Sequence, residues 1–136
     1  DGTQIRDWLF VEDHAEALFI LVKKGIVGKT YNIGADNEIK NIDVVKNICK
    51  KLDNIFPISA NPNIKNKKLK IDSYEKLIKF VKDRPGHDLR YALDSSEIKK
   101  EFNWKPKRSF DEQIDKTIKW YLDNLEWTAS NSDKHL

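Results

Sequence analysis

The chain has 136 residues, with 25 basic and 22 acidic side chains for a formal net charge of +3, and 39% of its residues are hydrophobic. That length holds one domain or part of one, the near balance of charge argues against a nucleic-acid partner, and no apolar run reaches the roughly 18 residues a membrane span needs. Cys49 is the sole cysteine, which removes internal disulfides and points to a reducing, cytoplasmic setting.

Asp1-Gly2-Thr3-Gln4 opens the chain without an initiator methionine and leads directly into residues 5–10, an apolar and aromatic run that predicts a strand, so the sequence reads as starting inside a domain. Glu12 and Asp13 stand where the positive end of a helix dipole favours acids. Ala15, Leu18, Phe19 and Val22 recur at helical spacing as the expected buried face, and Gly25 takes the C-terminal cap position. Thr30-Tyr31-Asn32-Ile33, between Gly28 and Gly34, predicts a short buried strand. Asn41, Ile42 and Asp43 offer polar caps to a second helix carrying Val44, Val45, Ile48, Leu52 and Ile55, which Pro57 ends.

Residues 59–73 are rich in Asn and Lys and predict a mobile loop, whose basic run Lys65-Asn66-Lys67-Lys68-Leu69-Lys70 is expected to be solvated. Residues 78–81 alternate weakly, Asp83-Arg84-Pro85-Gly86-His87-Asp88 form a turn, and Arg90-Tyr91-Ala92-Leu93 predict another strand. Asp94 or Ser95 caps a short helix to Phe102, which Asn103-Trp104-Lys105-Pro106 stops. Ser109-Phe110-Asp111-Glu112 is a capping box for a helix whose stripe is Phe110, Ile114, Ile118, Tyr121, Leu122 and Leu125, and residues 128–136 read as a disordered tail. The sum is a small α+β unit.

The candidate chemistry is narrow. Gly2, Gly25, Gly28, Gly34 and Gly86 never form the G-x-G-x-x-G turn that lets a backbone approach a dinucleotide pyrophosphate. His14, His87 and His135 are scattered and have no cysteine partner at metal-ligand spacing, and Cys49 on an apolar helical face reads as core. What remains is a pair of arginines, Arg6 at a strand end and Arg84 in a Pro-Gly turn beside His87, whose forked guanidinium groups suit phosphate oxygens. From the residues alone this is a weak signal, and salt bridges from Arg6 to Asp7 or Asp13 and from Arg84 to Asp83 or Asp88 carry more weight.

Taken in order, Gln4-Ile5-Arg6-Asp7-Trp8-Leu9-Phe10-Val11-Glu12-Asp13-His14, Thr30-Tyr31-Asn32-Ile33-Gly34, Asn41-Ile42-Asp43-Val44-Val45, Asp83-Arg84-Pro85-Gly86-His87-Asp88 with Arg90-Tyr91, and Trp104-Lys105-Pro106 resemble the dTDP-glucose 4,6-dehydratases of the extended short-chain dehydrogenase superfamily. The first two segments recur widely among sugar-nucleotide epimerases, decarboxylases and dehydratases; the Asp83–Tyr91 segment is the specific one. The resemblance covers residues 1–127 and implies an α/β fold class, with this chain as the α+β-like C-terminal substrate-binding part and the Rossmann half absent. It further implies an NAD-dependent lyase of deoxysugar biosynthesis that oxidises the sugar at C4, eliminates water across C5 and C6 and returns the hydride to C6. NAD and the catalytic Tyr-x-x-x-Lys pair belong to the missing half, and no tyrosine here has lysine at the fourth following position.

Carried over by position, the resemblance places Arg6 on the diphosphate of a dTDP-sugar substrate and Asn41 on the bound nucleotide sugar. It makes Asp83, Arg84, Pro85, Gly86 and His87 the wall of the same pocket, with Arg84 as the charged clamp. Trp8, Tyr31, Val45 and Trp104 read as core, and His14 as structural. Leu89 stands where the family usually has arginine, and residues 57–78 form a longer, more Lys/Asn-rich segment than usual. The parent enzyme is expected to be a homodimer without nucleic-acid or membrane partners. A UDP-sugar epimerase or decarboxylase fragment, and a non-catalytic nucleotide-sugar-binding remnant, are the alternatives.

Overall fold

The computed structural model describes residues 1–66 and 69–132. Among them are three strands and six α-helices: β1 (Ile5–Asp7), α1 (Val11–Lys24), β2 (Glu38–Lys40), α2 (Asn41–Ile55), α3 (Pro62–Asn66), β3 (Arg90–Tyr91), α4 (Ser96–Phe102), α5 (Phe110–Asp123) and α6 (Leu125–Ser132). Short 3-10 turns occupy Ile58–Ala60 and Tyr74–Leu77. The sheet order is β2-β1-β3, with β1 antiparallel to β2 and parallel to β3. β1 is therefore the central strand, and it brings the ends of two distant segments, the start of α2 and the turn before β3, to the same place.

Two motifs of the sequence are explained by one contact. The Asp7 carboxylate accepts the backbone N–H of Ala35 at 2.9 Å and of Asn37 at 2.8 Å, closing the loop that leads into β2. A Cβ at Gly34 would sit 2.4 Å from Asp7 Oδ2, so the glycine is demanded by close approach of the carboxylate. The chain at residues 30–33 corrects the sequence expectation: it forms no strand and joins no ladder. Its side chains pack instead, Tyr31 edge-on to Phe102 at 5.5 Å and Ile33 against the cluster of Ala17, Ile98 and Trp104, so apolar burial holds it where strand pairing was expected. Residues 78–81 also join no strand, and Phe80 and Val81 are exposed.

α1 begins and ends where expected, with Gly25 N–H bonded to the Leu21 carbonyl, but it buries the other side. Asp13 and Ala17 face the core with Ile20 and Leu21, whereas Val11, Leu18, Phe19 and Val22 lie in solvent, Val22 at 85% exposure. The helix carries two apolar stripes, and periodicity alone does not say which one meets a neighbour. α2 starts at Asn41 without a side-chain cap, and its Val44 packs with Ile114 and Ile118 of α5 and the half-buried Trp8. Val45, expected in the core, is 40% exposed.

Cys49 is buried with Ile64 and Tyr74, and that burial pushes its thiol up from the ordinary value, as suits a core position. The Ser109 capping box is formed: Ser109 Oγ accepts from Glu112 N, and the Glu112 carboxylate accepts from Ser109 N at 2.8 Å. Helix continues through Ser132, past residue 128 where the sequence suggested that a tail begins; residues 133–136, like Lys67 and Lys68 of the basic run, lie outside the described residues.

Candidate functional site

A cavity of about 570 Å³ lies at the surface beside Lys70, Ile71, Asp72 and Lys76, with none of the candidate site residues in its lining, and two others separate cleanly by chemistry. The larger of these two, about 400 Å³, lies among α2, α5 and α6 and is walled by Ile48, Leu52, Ile118, Leu122 and Leu125, with Asn61, Thr117 and Thr128 hydrogen-bonded locally. The other, about 320 Å³, lies at the N-terminal end of α2, between Gly2, Gln4, Asn41, Ile42 and Val45 on one side and residues 78–83 with His87 on the other. The second cavity has the polar groups.

Its floor follows from the sheet register. β1 pairs Ile5 with Lys40 on one side and with Arg90 on the other, so the residue before Ile5 meets the residue after Lys40: the Asn41 N–H donates to the Gln4 carbonyl at 2.9 Å. The Asn41 carboxamide Oδ1 is shielded from solvent and has no hydrogen-bond partner among the described residues. A buried acceptor left open at the edge of a cavity is one that a ligand donor can satisfy.

The opposite wall is organised by Asp83. One of its oxygens meets His87 Nδ1 at 2.7 Å and the Arg84 backbone N–H at 2.8 Å, and the other accepts from Gln4 Nε2 at 2.7 Å. The hydrogen bond to His87, aided by the Arg84 N–H, holds the Asp83 carboxyl below the usual range. Gly86 turns the loop at φ +70°, a conformation that favours glycine.

The structure thus gathers Asn41, Asp83 and His87 around one space. Arg6 does not line it. Its guanidinium donates to the Ile5 carbonyl at 2.6 Å and to the Asp88 carbonyl at 3.0 Å, which braces the turn from behind and leaves unformed the salt bridges to Asp7 or Asp13. Arg84, Pro85 and Gly86 are exposed at the rim, and the Arg84 guanidinium forms no ion pair among the described residues. Arg90, in contrast to Arg84, is neutralised, gripped by Glu38 through two bonds of 2.6 and 2.7 Å that depress the Glu38 carboxyl. Gln4, Val45 and Phe80 are cavity residues to which the sequence assigned no site role, although Gln4 and Val45 lie within resemblance segments; their place at the site appears once β1, α2 and the segment before Asp83 are brought together.

The profile of the GDP-mannose 4,6 dehydratase family matches residues 1–117. The chain belongs to that family. Within it, the chain is 55% identical over 127 residues to a dTDP-glucose 4,6-dehydratase of Escherichia coli, covering 93% of this chain and 33% of the relative. It is 51% identical over 127 residues to the dTDP-glucose 4,6-dehydratase of Neisseria meningitidis serogroup B, with 93% and 34% coverage. Among solved structures, the dTDP-glucose 4,6-dehydratase of Bacillus anthracis, in complex with NAD, superposes with a TM-score of 0.68 at 38% identity, over 93% of this chain and 34% of that one. The dTDP-glucose 4,6-dehydratase DesIV of Streptomyces venezuelae, also solved with NAD, gives a TM-score of 0.71 at 29% identity with the same coverages. The chain therefore spans about a third of the length of the relatives it matches.

The residues of that third do not fit NAD. No glycine-rich turn opens a helix among the described residues: α1 is preceded by Leu9 and Phe10, and α2 by Ile39 and Lys40. No helix among the described residues is long and apolar enough to cross a membrane.

Proposed function

We propose that this chain is the nucleotide-sugar-binding part of a dTDP-glucose 4,6-dehydratase, with its site in the cavity between the start of α2 and the Asp83–His87 turn. The observation that carries the reading is the open Asn41 acceptor facing a turn that holds an ordered imidazole, with an unpaired guanidinium at its rim. A diphosphate presents acceptor oxygens to Arg84, while a nucleotide sugar presents hydroxyl and N–H donors to Asn41. The remaining two thirds or so of the relatives' length, which in this reading bears NAD, the hydride transfers and the elimination, lies outside these residues, so the chain on its own binds and does not turn over. The whole enzyme is read as a cytoplasmic homodimer acting on a dTDP-sugar, without nucleic-acid or membrane partners.

Arg6 takes a bracing role in this reading, holding the turn through the Asp88 carbonyl and reaching the diphosphate only if ligand draws it away. Calorimetric titration of the 136-residue protein with dTDP, UDP and GDP, beside the Arg84→Ala variant, tests the proposal. The expected result is preference for dTDP and about a tenfold loss in Arg84→Ala, the scale of one charge-assisted phosphate contact. Equal affinity for the three diphosphates, or no effect of Arg84→Ala, contradicts it.

A further inference from the structure

Gln4 is the residue before β1, is only 8% exposed, and bonds at both of its ends. Its backbone carbonyl holds the N–H of Asn41, the first residue of α2, and its side-chain amide donates to Asp83 Oδ2 at 2.7 Å, across 79 positions of sequence. Asp83 passes the connection on through Oδ1 to His87 Nδ1 at 2.7 Å. One buried residue, through its carbonyl and its side chain, thus joins the two walls of the cavity.

The residue type matters because Asp83 is held ionised by its neighbours and is therefore an acceptor at both oxygens. A leucine at position 4 would leave Oδ2 without its donor, and a glutamate would set carboxylate against carboxylate. With Asp83 accepting only, the imidazole must bring the hydrogen to their contact. Nδ1 is then committed as the donor, and Nε2 is the ring nitrogen left for a ligand.

We infer that Gln4 is a positioning residue: acting through Asp83, it fixes His87 in the Nδ1–H tautomer and holds that ring at a set distance from Asn41. The inference rests on the proposed nucleotide-sugar site for its consequence in binding, and not for the tautomer itself. The oriented Nε2 meets an acidic hydroxyl or N–H of the ligand while the ring is neutral. A ring free to turn or to change tautomer would present that atom only part of the time, and affinity would fall by the fraction lost.

The test uses the 136-residue protein with ¹⁵N-labelled histidine and long-range ¹H–¹⁵N correlation at pH 8, where the pattern of couplings distinguishes Nδ1–H from Nε2–H. A His87→Gln variant assigns the ring among the three histidines. Wild-type protein is expected to show His87 with Nδ1 protonated, and Gln4→Leu to move most of that population to the Nε2–H tautomer. Gln4→Asn, which keeps the amide but shortens its reach by one methylene, serves if Gln4→Leu does not fold and is expected to shift the same signal. dTDP affinity should fall about tenfold in Gln4→Leu, and Gln4→Leu added to Asp83→Asn should cost little beyond Asp83→Asn alone.

A wild-type His87 protonated at Nε2, an unchanged tautomer in the foldable Gln4 variant, or full additivity with Asp83→Asn overturns the inference. Should the tautomer shift be present while wild-type protein fails to bind dTDP, the positioning role stands and the nucleotide-sugar reading falls.

Discussion

The contact of Asp7 with Gly34 invites a sharp perturbation. In Gly34→Ala the new Cβ lands 2.4 Å from Asp7 Oδ2, well inside contact distance, and 3.4 Å from the Leu93 Cβ, which is ordinary contact. The carboxylate is the group that must move, yet it is anchored by the backbone N–H groups of Ala35 and Asn37. Overpacking at a closed site costs about 1–3 kcal/mol, and losing one hydrogen bond to a charged acceptor costs about 1.5–3 kcal/mol. Because relieving the clash sacrifices one bond rather than adding to it, the two are alternatives, and a loss of about 2–3 kcal/mol is expected from urea denaturation of Gly34→Ala. In an Asp7→Ala background the offending oxygen is gone, so the same glycine substitution should then cost less than about 1 kcal/mol. Equal cost in the two backgrounds would refute the assignment of this glycine to carboxylate approach.

Two further perturbations follow from the surface. Glu38, Asp83, Asp94, Glu101, Asp111 and Glu112 all have carboxyls held below their ordinary values, chiefly by Arg90, His87, the Ser96 N–H, Lys29, Asn47 and the Ser109 N–H in turn. A depressed folded-state value adds stability above the unfolded value and loses it as pH falls through the folded one. The urea midpoint should therefore be level from about pH 7 to 5 and decline below about pH 4.5, with a smaller decline in high salt; a level midpoint down to pH 3 contradicts this. The uncovered stripe of α1, with Phe19 at 59% and Val22 at 85% exposure, should bind an environment-sensitive apolar dye and promote self-association. Phe19→Glu with Val22→Glu should at least halve dye binding without lowering helix content by circular dichroism, and an unchanged signal would place the dye elsewhere.

Local chemistry was legible wherever a residue acts on its immediate neighbours. The Ser109–Glu112 box, the Gly25 stop of α1 and the burial of Cys49 were readable because capping geometry and apolar spacing are properties of a few adjacent positions. What was not legible depends on pairing at a distance. Residues 30–33 have strand-like composition, but β1 already has a neighbour on each side, and Tyr31 and Ile33 find α4 and its cluster instead. β2 passed unnoticed because Glu38-Ile39-Lys40 is short and mostly polar, and becomes a strand by pairing with β1.

The site shows the same division. Asn41, Asp83 and His87 were marked by resemblance, and the structure brings all three to one cavity. Arg6 and Arg84 were also marked, but their sequence positions say nothing of direction: one guanidinium turns to backbone carbonyls and the other stays at the rim. Gln4 stood in a resemblance segment but was given no role, since a glutamine before a strand acquires one only from the Asp83 carboxylate that folding sets beside it.

The central claim is the location of the nucleotide diphosphate, and backbone ¹H–¹⁵N chemical-shift mapping during dTDP titration tests it most directly. The largest shifts are expected at Asn41, Arg84 and His87, with Gln4 and Ile42 following and the apolar cavity of Leu122 and Leu125 silent. Shifts centred on α5 and α6, with the Asp83–His87 turn unmoved, would contradict it.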